Sequence, residues 1–139
     1  MNSQITITST PARPLWPALV NGAKCRCPNC EQGKLFDGFL KVADTCTNCG
    51  EDYSHQRADD APPYFTIFIV GHIVIPLLIW AEITFRPSLT IHMLIWIPIT
   101  IAMSLAFLRP IKGVIVALQW ANYMHGFDPN SESDFPEKA

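Results

Sequence analysis

The sequence predicts a membrane protein: a two-helix transmembrane antiparallel hairpin, preceded by a small β zinc ribbon and followed by an amphipathic interfacial helix. Three observations predict it. Two apolar runs, 61–81 and 87–108, are 21 and 22 residues long and contain no Asp, Glu, Lys or Arg. Four of the five cysteines fall in two CxxC pairs separated by 15 residues. Charged residues are 16% of the chain, against about 25% in soluble domains, although the apolar share, 49%, is ordinary.

Each run is long enough to cross a bilayer core of about 30 Å, which takes about 20 helical residues. The competing reading is two buried helices of a soluble core. A chain of 139 residues has no room to bury two such helices on every face. Arg86, Pro87 and Ser88 form the turn between the helices, which should therefore make a tight hairpin with Pro87 in the first turn of the second. Pro76 and Pro98 lie inside the spans, where modest kinks are expected. The first ten residues do not read as a secretory signal, so the first span is expected to act as an internal signal-anchor.

Orientation follows from Lys and Arg. Six precede the first span, three follow the second, and Arg86 alone sits in the turn. This bias places both termini in the cytosol, at the bacterial inner membrane. The cysteines would then lie on the side where thiols stay reduced.

The remaining organisation follows composition. Residues 1–23 form a tail with a short interfacial segment, 24–53 the ribbon, and 54–63 a polar linker. The hairpin occupies 64–109, an amphipathic helix 110–126, and a polar tail 127–139. In the amphipathic segment, Ile111, Val114, Ile115, Leu118 and Ala121 repeat at helical spacing, with Lys112, Gln119 and Asn122 on a narrow polar face. This reads as a helix lying in the interface. The alternative is an extension of the second span packed on a partner.

Cys27-Pro-Asn-Cys30 and Cys46-Thr-Asn-Cys49 have the spacing of a four-cysteine zinc ribbon. Zinc takes four soft donors in a tetrahedron, and a CxxC turn converges two sulfurs and several backbone N–H groups on one ion. Gly33 and Gly50 would permit the knuckle conformations. Asp37-Gly38 reads as a two-residue turn of a hairpin over 34–42. About 30 residues cannot build a core unaided, so one structural zinc ion should supply folding energy. An iron–sulfur site or redox dithiols are the alternatives. Cys25 is a spare thiol, or a partner of Cys27 for copper.

The run KCRCPNCEQGKLFDGFLKVADTCTNCG, then DDAPPYF, IVGHIVIPLLIWAE, IHMLIWIPIT and LRPIKGVIVALQ, resembles the bacterial domain-of-unknown-function family 983, over about residues 15–122. The resemblance implies a short inner-membrane protein with a zinc ribbon and two spans. It also implies a link to biogenesis of haem–copper respiratory oxidases, through gene neighbourhood rather than mechanism. The turn Asp59-Asp60-Ala61-Pro62 departs from the glycine-containing form expected there.

Ionisable residues inside membrane spans are functional candidates. His72 lies near the middle of the first span, as a ligand of a partner's haem or metal or as an imidazole bonded to the other helix. Glu82 and His92 each stand five residues from Pro87, so they should share one depth and form an intramembrane polar pair. Asp59 and Asp60 should cap the start of the first span. Met93 and Met103 could join a copper site, though Met in a span is usually packing.

No nucleophile–base pair, phosphate-cradling loop or HExxH motif is present, so no enzyme is expected. A net charge of −2 and a ribbon with balanced charge point away from nucleic acid. The expected role is a non-enzymatic accessory or assembly protein, docking through its ribbon and hairpin on a membrane complex or a second copy. The alternative is a copper-handling or redox membrane protein using Cys25 and intramembrane His and Met.

Overall fold

The computed structural model describes residues 10–58 and 60–128. Among the described residues, three helices carry the fold: α1 (Leu15–Ala23), α2 (Ala61–Phe85) and α3 (Leu89–Ala121). The cysteine-rich segment lies between α1 and α2.

Helix α1 tolerates Pro17 because the first turn has no intrahelical acceptor for its missing N–H. It ends with Cys25 in the left-handed region, φ 59°. Cys25 N–H then reaches the Gly22 carbonyl at 2.9 Å and Arg26 N–H the Asn21 carbonyl at 2.9 Å. These two bonds form a Schellman cap, with cysteine at the position usually held by glycine.

Pro62 and Pro63 open α2. Asp60 is its N-cap but makes no side-chain cap bond, so the expected capping role is not seen there. Arg86 closes the helix in the left-handed region, φ 44°, and Ser88 caps α3 with extended backbone. Pro87 thus lies in the connection and not in the first turn of α3. Both helices are long and apolar enough to cross a membrane. Their outer faces are bare of protein: Ile67 and Leu94 are each 71% exposed, whereas Thr66, Val70 and Val74 are buried.

The separate amphipathic helix is not formed. Helix α3 runs unbroken through Pro98 and Pro110 to Ala121, 33 residues. At 1.5 Å per residue that is about 50 Å, longer than a bilayer core. The last dozen residues therefore continue beyond the apolar run as a post. They do so because their surface is covered by protein. Gly113, Val116, Ala117, Gln119 and Trp120 are buried.

Helix α1 runs antiparallel along this post, with Arg13 at Trp120 and Gly22 at Gly113. At the second crossing a Cβ on either glycine would overlap the carbonyl oxygen of the other. The ribbon closes the third side. Leu35, Phe36, Cys46, Tyr53, Val116 and Trp120 belong to one buried cluster that also takes in Phe127. Phe127 thus packs in the core, not in a polar tail. Residues 129–139 of that tail, and 1–9, lie outside the described residues.

The ribbon contains no strand among the described residues. It is held by three isolated antiparallel bridges, Arg26↔Lys34, Phe36↔Val42 and Thr45↔Asp52. The Asp37-Gly38 turn is also wider than expected. Neither residue has positive φ, as a two-residue type I′ turn requires. Asp37 N–H instead bonds the Lys41 carbonyl at 2.9 Å, giving a five-residue loop inside the Phe36↔Val42 bridge.

Candidate metal centre

The two CxxC turns build equivalent knuckles. Glu31 N–H bonds the Cys27 carbonyl and Gly50 N–H the Cys46 carbonyl, each at 3.0 Å. The residue after each pair is left-handed: Glu31 at φ 65° and Gly50 at φ 77°. Gly50 is thus used for its backbone freedom. Gly33 is used for space, since its φ is ordinary but a Cβ there would overlap the Cys46 sulfur.

The four sulfurs converge. Cys27, Cys30, Cys46 and Cys49 all lie within 4.8 Å of one another. The Sγ–Sγ separations are 3.7 Å for Cys27–Cys49 and 3.7 Å for Cys30–Cys46. A tetrahedron with metal–sulfur bonds of about 2.3 Å has edges of about 3.8 Å, so the cluster fits one ion, consistent with zinc.

Three of the four sulfurs are met by N–H donors. Gly33 N–H lies 3.4 Å from Cys30 Sγ, and Asn48 N–H 3.4 Å from Cys46 Sγ. The two asparagines of CPNC and CTNC reach across the site. Asn29 Nδ2 donates to Cys49 Sγ at 3.6 Å and to Glu51 at 3.3 Å. The Asn48 side chain donates to Cys30 and, with Gly33 N–H, lowers its pKa to about 6. Cys27 is fully buried, and desolvation pushes it up to about 12. Tyr53 lies beneath the site, 1% exposed; its buried hydroxyl has no hydrogen-bond partner among the described residues, but it lies near enough to Cys27 to favour the thiolate. The asparagines and Tyr53 were not among the expected site residues. The shared Asn before the second cysteine of each pair was the available signal.

The docked post is equally polar at its contacts. The Gln119 side chain forms a two-bond pair with the Arg57 backbone: Arg57 N–H donates to Oε1 and Nε2 donates to the carbonyl, both at 2.9 Å. Gln119 is buried, so it does not lie on a solvent face. Trp120 Nε1 donates to Glu51 at 2.9 Å, and Arg13 sits over the Trp120 and Tyr123 rings at 4.3 and 4.1 Å.

The other candidates are dispersed. Cys25 is outside the four-sulfur cluster and points toward Arg109. Burial raises its thiol pKa, opposed by the Arg109 charge. His72 Nδ1 bonds the Phe68 carbonyl of its own helix at 2.8 Å, not the other helix. Its ring lies over Phe68, 4.2 Å between centroids, and is exposed to the outside of the hairpin. Glu82 and His92 come together: carboxylate Oε2 and imidazole Nε2 are 2.7 Å apart. Asp59 lies outside the described residues, and Asp60 is exposed.

Comparison with known proteins adds one match. No curated protein matches the chain, and no solved structure does. A family model described as "Protein of unknown function (DUF983)" matches residues 36–120, from Phe36 of the ribbon to Trp120 of the post. That match takes in the second CxxC pair, both long helices and the surface on which α1 and the ribbon dock. Because it covers more than half of the sequence, the chain belongs to the DUF983 family.

Proposed function

We propose that this protein is a non-enzymatic accessory or assembly factor of the bacterial inner membrane. Its ribbon holds one structural zinc ion in the cytosol, and its hairpin docks against a membrane protein complex. Both termini lie in the cytosol, in line with nine Lys and Arg residues outside the turn against Arg86 alone. The family resemblance adds the setting, biogenesis of a haem–copper respiratory oxidase.

The observation that carries the reading is the outward placement of His72. Its Nδ1 is satisfied within α2, but its Nε2 has no partner among the described residues. It stands in a dent lined by Phe68, Gly71, Ile75 and Pro76, on the face turned away from α3. A polar nitrogen facing hydrocarbon is costly, and the small Gly71 permits close approach by another helix. A partner helix with a hydrogen-bonding side chain satisfies both.

The test has two arms. A photo-crosslinking residue at Ile75 in native membranes should trap a defined membrane subunit, while one at Val74, on the buried face, should not. Deleting the gene should lower oxidase activity and haem absorbance in membranes, restored by the wild-type protein and not by Cys27→Ser. Normal oxidase content in the deletion strain overturns the respiratory setting. Stoichiometric copper in place of zinc would turn the reading to metal handling.

A further inference from the structure

A cleft opens where the ribbon, the end of α1 and the start of the α3 post meet. Lys24, Arg26, Lys34 and Arg109 line it, with Asp37 as its carboxylate, around a volume of about 780 Å³. None of the four cations has a carboxylate within 4.0 Å among the described residues. Arg109 is held by packing. Its guanidinium lies 5.4 Å from the Phe36 ring centre, and its Nε is buried without a hydrogen-bond partner among the described residues.

The position of the cleft is fixed by the fold. Arg109 is the first charged residue after the apolar run of α3. Because α1 runs antiparallel to the post, its final turn descends to the same level. The negative end of the α1 dipole is covered there, since the N–H groups of Lys24, Cys25 and Arg26 occupy carbonyls of its last turns. Beside the cleft, in the loop that contributes Asp37 and Gly38, Phe39 is 52% exposed. Four cations, a buried unpaired guanidinium N–H and an exposed aromatic thus meet at the end of an apolar span.

We infer that this cleft binds the phosphate of an anionic lipid headgroup at the cytosolic surface of the bilayer, with Phe39 in contact with the acyl boundary. The inference rests on the membrane-hairpin reading above. Clustered Lys and Arg at the membrane surface attract anionic lipid, and a fixed pocket adds directed N–H donors to that attraction. A single compact cleft in a chain of net charge −2 suits one headgroup better than a polyanion.

The experiment uses the full-length protein in zwitterionic micelles, with native mass spectrometry after titration with phosphatidylglycerol or phosphatidylcholine. Phosphatidylglycerol should be retained preferentially. Lys24→Gln, Lys34→Gln and Arg109→Gln should each weaken it about fivefold. Lys112→Gln, on the same side but outside the cleft, should leave it unchanged, as should Arg86→Gln at the opposite end. Equal loss from Lys112→Gln would mean diffuse attraction and would overturn the site. Binding of sn-glycerol 1-phosphate as tightly as the lipid would overturn the lipid assignment in favour of a soluble phosphate. Alkaline carbonate extraction separates this inference from its premise. Release of the protein overturns the membrane hairpin, whereas retention without lipid preference overturns the cleft alone.

Discussion

Gly22 of α1 and Gly113 of α3 face each other backbone to backbone, each occupying the space a side chain on the other would need. In an exposed helix interior, replacing Gly with Ala gains up to about 1 kcal/mol of helix propensity. Here the added methyl meets carbonyl oxygen on a neighbouring helix, and Gly22→Ala also meets the Ala117 Cβ at 2.7 Å. Either substitution should therefore destabilise the α1–post contact, by about 1–3 kcal/mol. Thermal unfolding followed by tryptophan fluorescence is the readout. A stabilised Gly113→Ala protein would contradict the close approach.

The metal site gives two separable expectations. Cys27→Ser should abolish stoichiometric metal and expose the ribbon to protease while the hairpin stays in the membrane. Gly33→Ala should lower metal affinity with all four ligands intact, because the methyl displaces the Cys46 sulfur. Metal content by plasma mass spectrometry and competition with a chelator measure both. Unchanged affinity in Gly33→Ala would show that the site can relax around the added carbon.

Metal uptake should also release protons. Desolvation pushes the buried Cys27 thiol up to about 12 in the metal-free site, while the Asn48 and Gly33 donors hold Cys30 at about 6. Burial favours the protonated form of Cys27, and that proton must leave when the metal binds. The sign follows: affinity rises with pH above neutrality and falls on acidification, as both thiols compete with protons. Calorimetric titration in buffers of different ionisation enthalpy counts the protons, and pH-independent affinity between pH 6 and 8 would go against it.

The Gln119–Arg57 pair ties the linker before α2 to the post through two 2.9 Å bonds. Gln119→Leu removes both side-chain bonds to the Arg57 backbone, at a cost of about 0.5–1.5 kcal/mol each. Gln119→Glu keeps the acceptor but loses the donor and adds a charge. Both should speed proteolysis in the 54–58 segment, Gln119→Leu without loss of metal. Wild-type protease resistance in both variants would assign the linker's order to other contacts.

This pair also marks where sequence reading stops. The two long apolar helices were legible because hydrocarbon thickness sets a run length, and the four-cysteine cluster because tetrahedral coordination sets a cysteine spacing. Periodicity puts Gln119 on a narrow polar face but cannot say which face a neighbour covers. Helix α3 was divided at Pro110 because proline usually ends helices. It continues because only one carbonyl bond is lost and the flanking surface is buried by α1 and the ribbon. The Gly22–Gly113 crossing left no periodic trace, being one glycine on each helix. The ribbon's expected strands shrank to isolated bridges because knuckle geometry and the shared core fix its short loops without a ladder.

Glu82 and His92 were linked in the sequence by equal distance from Pro87, and in the structure their carboxylate and imidazole are 2.7 Å apart. The two side chains differ in surroundings. His92 is 15% exposed and Glu82 55%, and His92 Nδ1 is buried with no partner among the described residues. With Nε2–H donating to the carboxylate, Glu82 fixes the tautomer and the ring orientation against Trp96 and Leu89 of the groove between the helices. Removing Glu82 leaves a largely buried imidazole with neither nitrogen satisfied. Removing His92 leaves a carboxylate that still reaches solvent. Glu82→Gln should therefore destabilise the hairpin while retaining part of the contact, since an amide oxygen can still accept from Nε2–H. Glu82→Leu should cost more, and His92→Gln less than Glu82→Leu. In a double-mutant cycle of Glu82→Leu with His92→Leu the coupling should reach about 1–2 kcal/mol, within the range for contacting residues. Thermal unfolding in micelles supplies the four stabilities. Strict additivity would mean that the 2.7 Å contact contributes nothing beyond its two residues taken separately.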